Sequence, residues 1–194
     1  MEKKKNNYKH ITRVAFKQDT RLALTGINIK DGYITATDSH RLLKLKTNIP
    51  EDINLLLDPK RLEMIEVNYP DTDRLIPEEF NTVFSLAYYQ FEILNKMLKS
   101  VLAKDRTTFK ITVNEKRVRF DISNGISCEV DVFKFEGEEM EVSCNPYYMK
   151  ELVEFILDQK SMATEVKLVN NLRPFVFSQE GNFEYLITPI RTGS

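Results

Sequence analysis

The C-terminal half of the sequence repeats itself, and that repeat limits the fold more than any other feature. A strand-like stretch at Asn81–Ala87 leads into a helical stretch from Gln90 to about Ala103. Phe91, Leu94, Met97, Leu98, Val101 and Leu102 form its apolar side, with Lys96 and Lys99 elsewhere on the surface. Three alternating segments follow, Phe109–Val113, Val118–Ile122 and Ile126–Phe133, the last two joined by Asn124-Gly125, a strong hairpin signal. The order then recurs. A strand at Met140–Cys144 precedes a helix from Pro146 to Asp158, with Met149, Leu152, Val153 and Ile156 on its apolar stripe and Lys150, Glu151 and Glu154 on other faces. Strands near Glu165–Val169, Pro174–Phe177 and Phe183–Thr188 complete the second copy. Two copies of strand, helix, strand, strand, strand therefore fill roughly residues 81–192 and predict an α+β fold.

The first half is less regular. It reads as a short helix near Lys9–Lys17, a strand at Leu22–Ile29, a turn at Asp31-Gly32, a strand at Tyr33–Ala36, the segment Arg41–Lys46 and a strand at Ile53–Leu57. Asp58 then suits a helix N-cap and Pro59 a first helical turn, predicting a helix that ends near Glu66. Asn68–Glu79 contains two prolines and reads as a linker, which puts a domain boundary near residue 80. The expected domains are 1–79 and 80–194.

With 42% hydrophobic and 29% charged residues, the chain is expected to fold as an ordinary globular protein. Lys and Arg number 28 against 29 Asp and Glu, so any contact with nucleic acid has to come from a local basic patch and not from bulk charge. The Lys3-Lys4-Lys5 run reads as a solvated terminus. No secretory pattern and no apolar run of membrane-spanning length is present, which predicts an intracellular, cytoplasmic protein. Cys128 and Cys144 fall in strand-like stretches, where a thiol acts as a small buried hydrophobe.

Catalytic chemistry leaves little trace. Two histidines, His10 and His40, are too few for a multi-histidine metal site, and there is no glycine-rich phosphate loop, nucleophile elbow or paired-cysteine motif. Asp38-Ser39-His40 sets three catalytic residue types side by side, yet neighbours on a strand point to opposite faces. The segment reads as a turn whose polar side chains bond the backbone, with a small enzyme using these three residues as the outlying alternative. Glu138, Glu139 and Glu141 read as a solvated approach to a strand. No cofactor is expected.

Several segments, taken in order, resemble the bacterial DNA sliding clamp, the beta subunit of DNA polymerase III. Arg21–Ile27 followed by Ala36-Thr37-Asp38-Ser39-His40-Arg41-Leu42 resembles the start of the family's middle domain, whose signature is Ala-Thr-Asp-(Gly/Ser)-His-Arg-Leu. Tyr69–Pro77 resembles the segment linking the middle and last domains, and Asn145–Tyr148 and Tyr185–Arg191 resemble two motifs of the last domain. The repeat agrees independently with the family's plan, in which each domain pairs two such motifs, with antiparallel sheets outside and helices on the inner face.

The resemblance implies a non-enzymatic processivity factor that grips short peptides of DNA polymerases and clamp loaders. Leu24, Thr37, Ser39, His40, Arg41 and Leu42 would supply one wall of the peptide pocket, with Pro70, Arg74 and Leu75 beside them. Asn145, Tyr148, Leu172, Pro174, Leu186, Thr188, Pro189, Ile190 and Arg191 would supply the rest. Aliphatic side chains and prolines make apolar pockets, while His40, Arg41, Asn145 and Arg191 can fix a peptide backbone.

Two departures qualify the implication. The family's subunit has three domains and this chain has room for two, and its first domain lacks about three strands of the family pattern. Ring closure by edge-to-edge sheet contacts would then take a homotrimer, with double-stranded DNA meeting helix-borne Lys9, Arg13, Lys17, Lys60, Arg61, Lys96, Lys99 and Lys150 through sequence-independent phosphate contacts. The alternative is a decoy or adaptor that keeps the peptide pocket and does not encircle DNA. The processivity-factor form suits a phage or other mobile element.

Overall fold

The computed structural model describes residues 7–99, 108–122 and 125–191, which form two compact units. Unit 1 holds the chain as far as Leu75 together with Glu180–Leu186, and unit 2 holds Ile76–Gln179 and the run from Ile187. The Lys3-Lys4-Lys5 run, the expected helix end at Val101–Ala103 and Asn124 lie outside the described residues. Among the described residues no helix is long and apolar enough to cross a membrane.

Unit 1 starts with α1 (Asn7–Val14), a single turn α2 (Leu22–Thr25) and strands β1 (Ile27–Lys30), β2 (Tyr33–Thr37), β3 (Arg41–Lys46) and β4 (Leu55–Leu57). The strands pair antiparallel in the order β4-β1-β2-β3. Ile34 opposite Leu45 and Ala36 opposite Leu43 share the sheet face beneath α1, which buries His10, Ile11 and Val14. Tyr33 opposite Lys46 and Thr35 opposite Lys44 occupy the other face.

Two expectations fail in unit 1, for identifiable reasons. The strand predicted from Leu22 begins only at Ile27, because Thr25 Oγ1 donates to the Leu22 carbonyl (2.8 Å) and the Phe16 amide donates to Leu24, closing a helical turn first. The helix predicted from Asp58 to Glu66 does not form. The Asp58 carboxylate accepts from the amides of Lys60 (2.7 Å) and Arg61 (3.1 Å), and Leu62 takes a left-handed φ of 59°. The chain then doubles back, with the Asp58 amide donating to Glu63 and Leu57 bridging Met64. An aspartate followed by proline opens a tight turn as readily as it caps a helix, and here the returning segment pairs with β4 instead of coiling.

Unit 2 follows the predicted repeat as far as its last strand, which falls mostly in unit 1. Its elements are β5 (Thr82–Ala87), α3 (Tyr88–Leu98), β6 (Phe109–Val113), β7 (Arg117–Ile122), β8 (Ile126–Asp131), a short unpredicted β9 (Phe135–Gly137), β10 (Met140–Cys144), α4 (Pro146–Gln159), β11 (Ala163–Leu168) and β12 (Phe175–Gln179). The last strand, β13 (Phe183–Ile187), lies beside β3. One sheet of unit 2 runs β12-β11-β5-β9 and the other β10-β6-β7-β8. The two motifs interlock: β5 of the first pairs with β11 of the second, and β10 of the second pairs with β6 of the first.

Both helices start where side chains satisfy the first amides. The buried Gln90 carboxamide oxygen accepts from the Ala87 amide (2.8 Å), and Asn145 Oδ1 accepts from the Tyr147 amide (2.8 Å) ahead of Pro146 in the first turn. α3 packs on α4, burying Phe91, Leu94 and Leu98 with Met149, Leu152, Val153 and Ile156. Each such side chain is worth about 1.5–3 kcal/mol of hydrophobic free energy.

Gly137 holds β9 against β5. Its φ is 111°, and a Cβ there would sit 1.8 Å from the Asn81 carbonyl oxygen, which only a glycine avoids. Gly137→Ala is expected to lose roughly 1–3 kcal/mol in urea unfolding. The cysteines are unpaired, Cys144 fully buried and Cys128 half-buried. Burial, and then the Asp121 carboxylate, push the Cys128 thiol up to about 11, and burial pushes Cys144 higher still. A raised thiol pKa keeps both groups protonated at pH 8. The native protein should therefore alkylate at Cys128 on the order of a hundredfold slower than free cysteine and not at Cys144, with both reacting in urea, as read by mass spectrometry.

Candidate functional site

The segment joining β2 to β3 is built almost wholly from its own hydrogen bonds. Asp38 Oδ1 accepts from the amides of His40 and Arg41 (both 3.0 Å), and Oδ2 accepts from Arg41 Nε (3.0 Å). Thr37 Oγ1 donates to the Arg41 carbonyl (2.7 Å) and accepts from the Ser39 amide (3.1 Å). Arg41, only 5% exposed, sends its guanidinium on to the Arg13 carbonyl at the end of α1 (2.8 Å). The result is a rigid turn with Ser39 at a φ of 74° and Ser39 and His40 exposed at its tip.

This bonding assigns roles. Asp38 is committed to backbone amides and Arg41, and Ser39 Oγ accepts from Arg21 Nη1 (2.7 Å), whose guanidinium also stands 5.8 Å over the Phe16 ring. The three residues thus form the backbone-bonding turn that their sequence suggests. Arg41, expected to reach a peptide, instead ties the turn to α1, and Leu42 and Leu186 are buried in the core. Leu24 is half-buried in α2.

Pro70, Arg74 and Leu75 sit on a strap that crosses the polar face of the unit 1 sheet. Tyr69 is half-buried with its hydroxyl out of solvent and without a hydrogen-bond partner among the described residues; burial pushes its phenol upward, partly offset by the nearby Thr37 backbone. Thr72 is buried, and the Leu75 amide donates to the Thr72 carbonyl (3.1 Å), closing a 3-10 turn at Asp73–Leu75. Arg74 Nε pairs with Asp71 Oδ2 (2.7 Å), and Lys44 Nζ from β3 meets Asp73 Oδ1 (2.6 Å). Strap and sheet flank an open cleft of about 840 Å³ lined by Asn28, Tyr33, Thr35 and Lys44 on the sheet side. Neither Lys44 nor Asp73 figures among the sequence-based candidates. The alternation of Leu43, Lys44, Leu45 and Lys46 is the signal that could have flagged the lysines as a separate face.

In unit 2 the Ile190 amide donates to the Ser143 carbonyl (2.7 Å), which lays Thr188–Arg191 beside the junction of β10 and α4, next to Asn145. Tyr148 is half-buried one turn on, Thr188 and Pro189 are half-buried, and Ile190 and Arg191 are exposed. The Asn145 carboxamide oxygen is engaged as the helix cap. Leu172 is exposed and Pro174 half-buried in the β11–β12 connection, where Asn170 Oδ1 accepts from the amides of Leu172 and Arg173 (both 2.9 Å).

Of the expected DNA-facing cations, Lys9 and Arg13 lie on α1, Lys96 and Lys99 at the end of α3, and Lys150 on α4. Lys17 follows α1 and donates to the Thr12 carbonyl. Lys60 and Arg61, expected on a helix, sit in the Asp58 turn instead. Among the described residues no cluster of three or more metal-ligating side chains occurs.

Asp38 leaves a buried guanidinium unmatched when removed. Asp38→Ala is expected to cost about 3 kcal/mol, and Asp38→Ala with Arg41→Met to recover more than half of it, both read from urea midpoints.

No protein-family model matches the chain. It is 25% identical to the beta sliding clamp of Streptococcus pneumoniae, over 90% of this chain and 59% of the relative, so it spans about three-fifths of that protein's length. That alignment runs over 233 positions, more than the 194 residues present here, so it contains relative residues with no counterpart in this chain. Among solved structures, the DNA polymerase sliding clamp of Bacillus subtilis superposes with a TM-score of 0.82 at 21% identity, covering 97% of this chain and 62% of that one. The Helicobacter pylori beta clamp bound to a DNA ligase peptide superposes with a TM-score of 0.76 at 18% identity, covering 95% and 62%. The fold is the α+β sliding-clamp fold.

Proposed function

We propose that this chain, a relative of the bacterial beta sliding clamps with their fold, is a non-enzymatic processivity factor of the cytoplasm that holds DNA without sequence specificity and tethers replication partners by their short peptides. The Thr37–Arg41 turn carries the reading: in a chain related to clamps over nine-tenths of its length, the signature segment folds into a rigid loop presenting Ser39 and His40. On unit 1 the strap with Pro70, Arg74 and Leu75 would supply a second wall, and on unit 2 the run Thr188–Arg191 beside Asn145 and Tyr148 would supply further peptide contacts. DNA polymerase and clamp-loader peptides are the partners. Lys96, Lys99 and Lys150, with α1's cations, would meet phosphates, and three copies with two units each would close a ring.

A second reading, a peptide-binding adaptor or decoy that does not encircle DNA, is favoured by the unmatched stretch inside the alignment, since unit 1 has one motif's strands plus β4 where unit 2 has two motifs.

Light scattering across a concentration series, a fluorescence titration with the DNA ligase peptide and retention on nicked circular DNA test both. The clamp reading expects a trimer, retention that is lost on linearising the circle, and peptide affinity that Ile190→Asp lowers about tenfold with the melting temperature unchanged. A monomer at all concentrations that binds the peptide supports the adaptor. No peptide binding overturns both.

A further inference from the structure

The strap and the Asp38 turn are separate stretches of chain, yet each is tied to the same two strands. The Tyr69 phenol is buried near the backbone of Thr37, where β2 enters the turn, without a hydrogen-bond partner among the described residues, and Asp73 meets Lys44, in β3 shortly after the chain leaves it. Around Asp73 the strap is closed by its own contacts, Arg74 to Asp71 (2.7 Å) and the Leu75 amide to Thr72 (3.1 Å). The strap is thus braced internally around Asp73 and linked to β3 by that ion pair. Lys44 is well suited to hold it. Its side chain is 20% exposed, its ammonium lies 4.9 Å from the centroid of the Tyr33 ring, and Lys46 approaches the same ring at 4.6 Å, so the Lys44 stem stands on a packed sheet face.

We propose that the Lys44–Asp73 ion pair is a positioning latch that fixes Pro70, Arg74 and Leu75 relative to Ser39 and His40, and so sets the affinity of the peptide site. Lys44 and Asp73 are positioning residues that need not touch a peptide. The latch rests on the peptide-tether reading, because it acts through that reading's pocket walls. Asp73 is 69% exposed, so the pair is screened by salt and contributes modestly, and charge reversal is needed for a clear readout.

The test is a charge swap in the full chain. Lys44→Glu and Asp73→Lys, each placing like charges together, should each weaken DNA ligase peptide binding about five- to tenfold without lowering the melting temperature, and Lys44→Glu with Asp73→Lys should return to within about twofold of wild type. Hydrogen exchange of the peptide-free proteins supplies the second readout: amides of residues 69–75 should exchange faster in each single variant and recover in the swap. In 1 M NaCl the differences between the four proteins should shrink. Single variants that bind like wild type, or a swap no better than the single variants, overturn the latch and leave the tether standing. A wild-type chain that does not bind the peptide overturns the tether, and equal exchange in all four proteins then overturns the latch as well.

Discussion

Exchange of first strands is the constraint on which the rest of this fold depends. A single strand, helix, three-strand motif has too few strands to cover its own helix, and in unit 2 the two motifs trade: β5 joins β11, and β10 joins β6. The trade places α3 against α4 and gives each helix a sheet. Unit 1 shows half of the same arrangement. β4 pairs with β1, the strand after the helix, as β10 pairs with β6 after α3. The reciprocal pairing has no counterpart among the described residues of unit 1, and the Asp58 turn sends the chain back along β4 before a second helix can start. The strap then runs over the polar face of the sheet, and Lys44 becomes its anchor.

A buried charge fixes the loop that the proposed function needs most. Arg41 gives up most of its hydration and is matched by Asp38 and by the Arg13 carbonyl. Such a pair adds little net stability over an apolar replacement, but it is intolerant of losing one member, and it allows only one geometry for the turn. Here the same groups bond the backbone of His40 and Arg41, so turn shape, α1 placement and the exposure of Ser39 and His40 are a single property. The Asp38 carboxylate is thereby committed to the amides of His40 and Arg41 and to Arg41 Nε, as befits a backbone-bonding turn.

The parts of the fold legible in the sequence are those governed by local periodicity. Alternation located β6, β7, β10 and β11 to within a few residues, and the 3.6 period with Asn145-Pro146 located α4. What failed was local signal with two outcomes. Asp58-Pro59 fits a helix start and a tight turn equally, and only the pairing of Met64 with Leu57 decides between them. β9 was hidden because three residues on a free edge, in a stretch rich in glutamate, carry no period to detect. The motif segments located the Asp38 turn and the strap, but Arg41's inward role and the Lys44–Asp73 pair depend on groups 28 and 29 residues apart, which no short-range pattern encodes.

Peptide tethering and ring closure make unequal demands on these units. A peptide wall needs a few side chains held over short distances, and the Asp38 turn and the strap, the walls of the proposed site, are each closed by bonds inside unit 1. A ring needs long strand edges able to pair with another copy, and edges tolerate loss poorly because each missing strand removes a whole ladder of hydrogen bonds. On unit 2 the outer strand β8 presents Glu129 and Asp131, both tied to Arg117 of β7, so pairing there must fit around charges already engaged with each other. On unit 1 the β4 side is already occupied by the returning Met64–Ile65 backbone. Under the proposed reading, tethering would tolerate a unit with one motif far more easily than encirclement would, and oligomeric state is the property in which this chain has the most room to differ from its longer relatives.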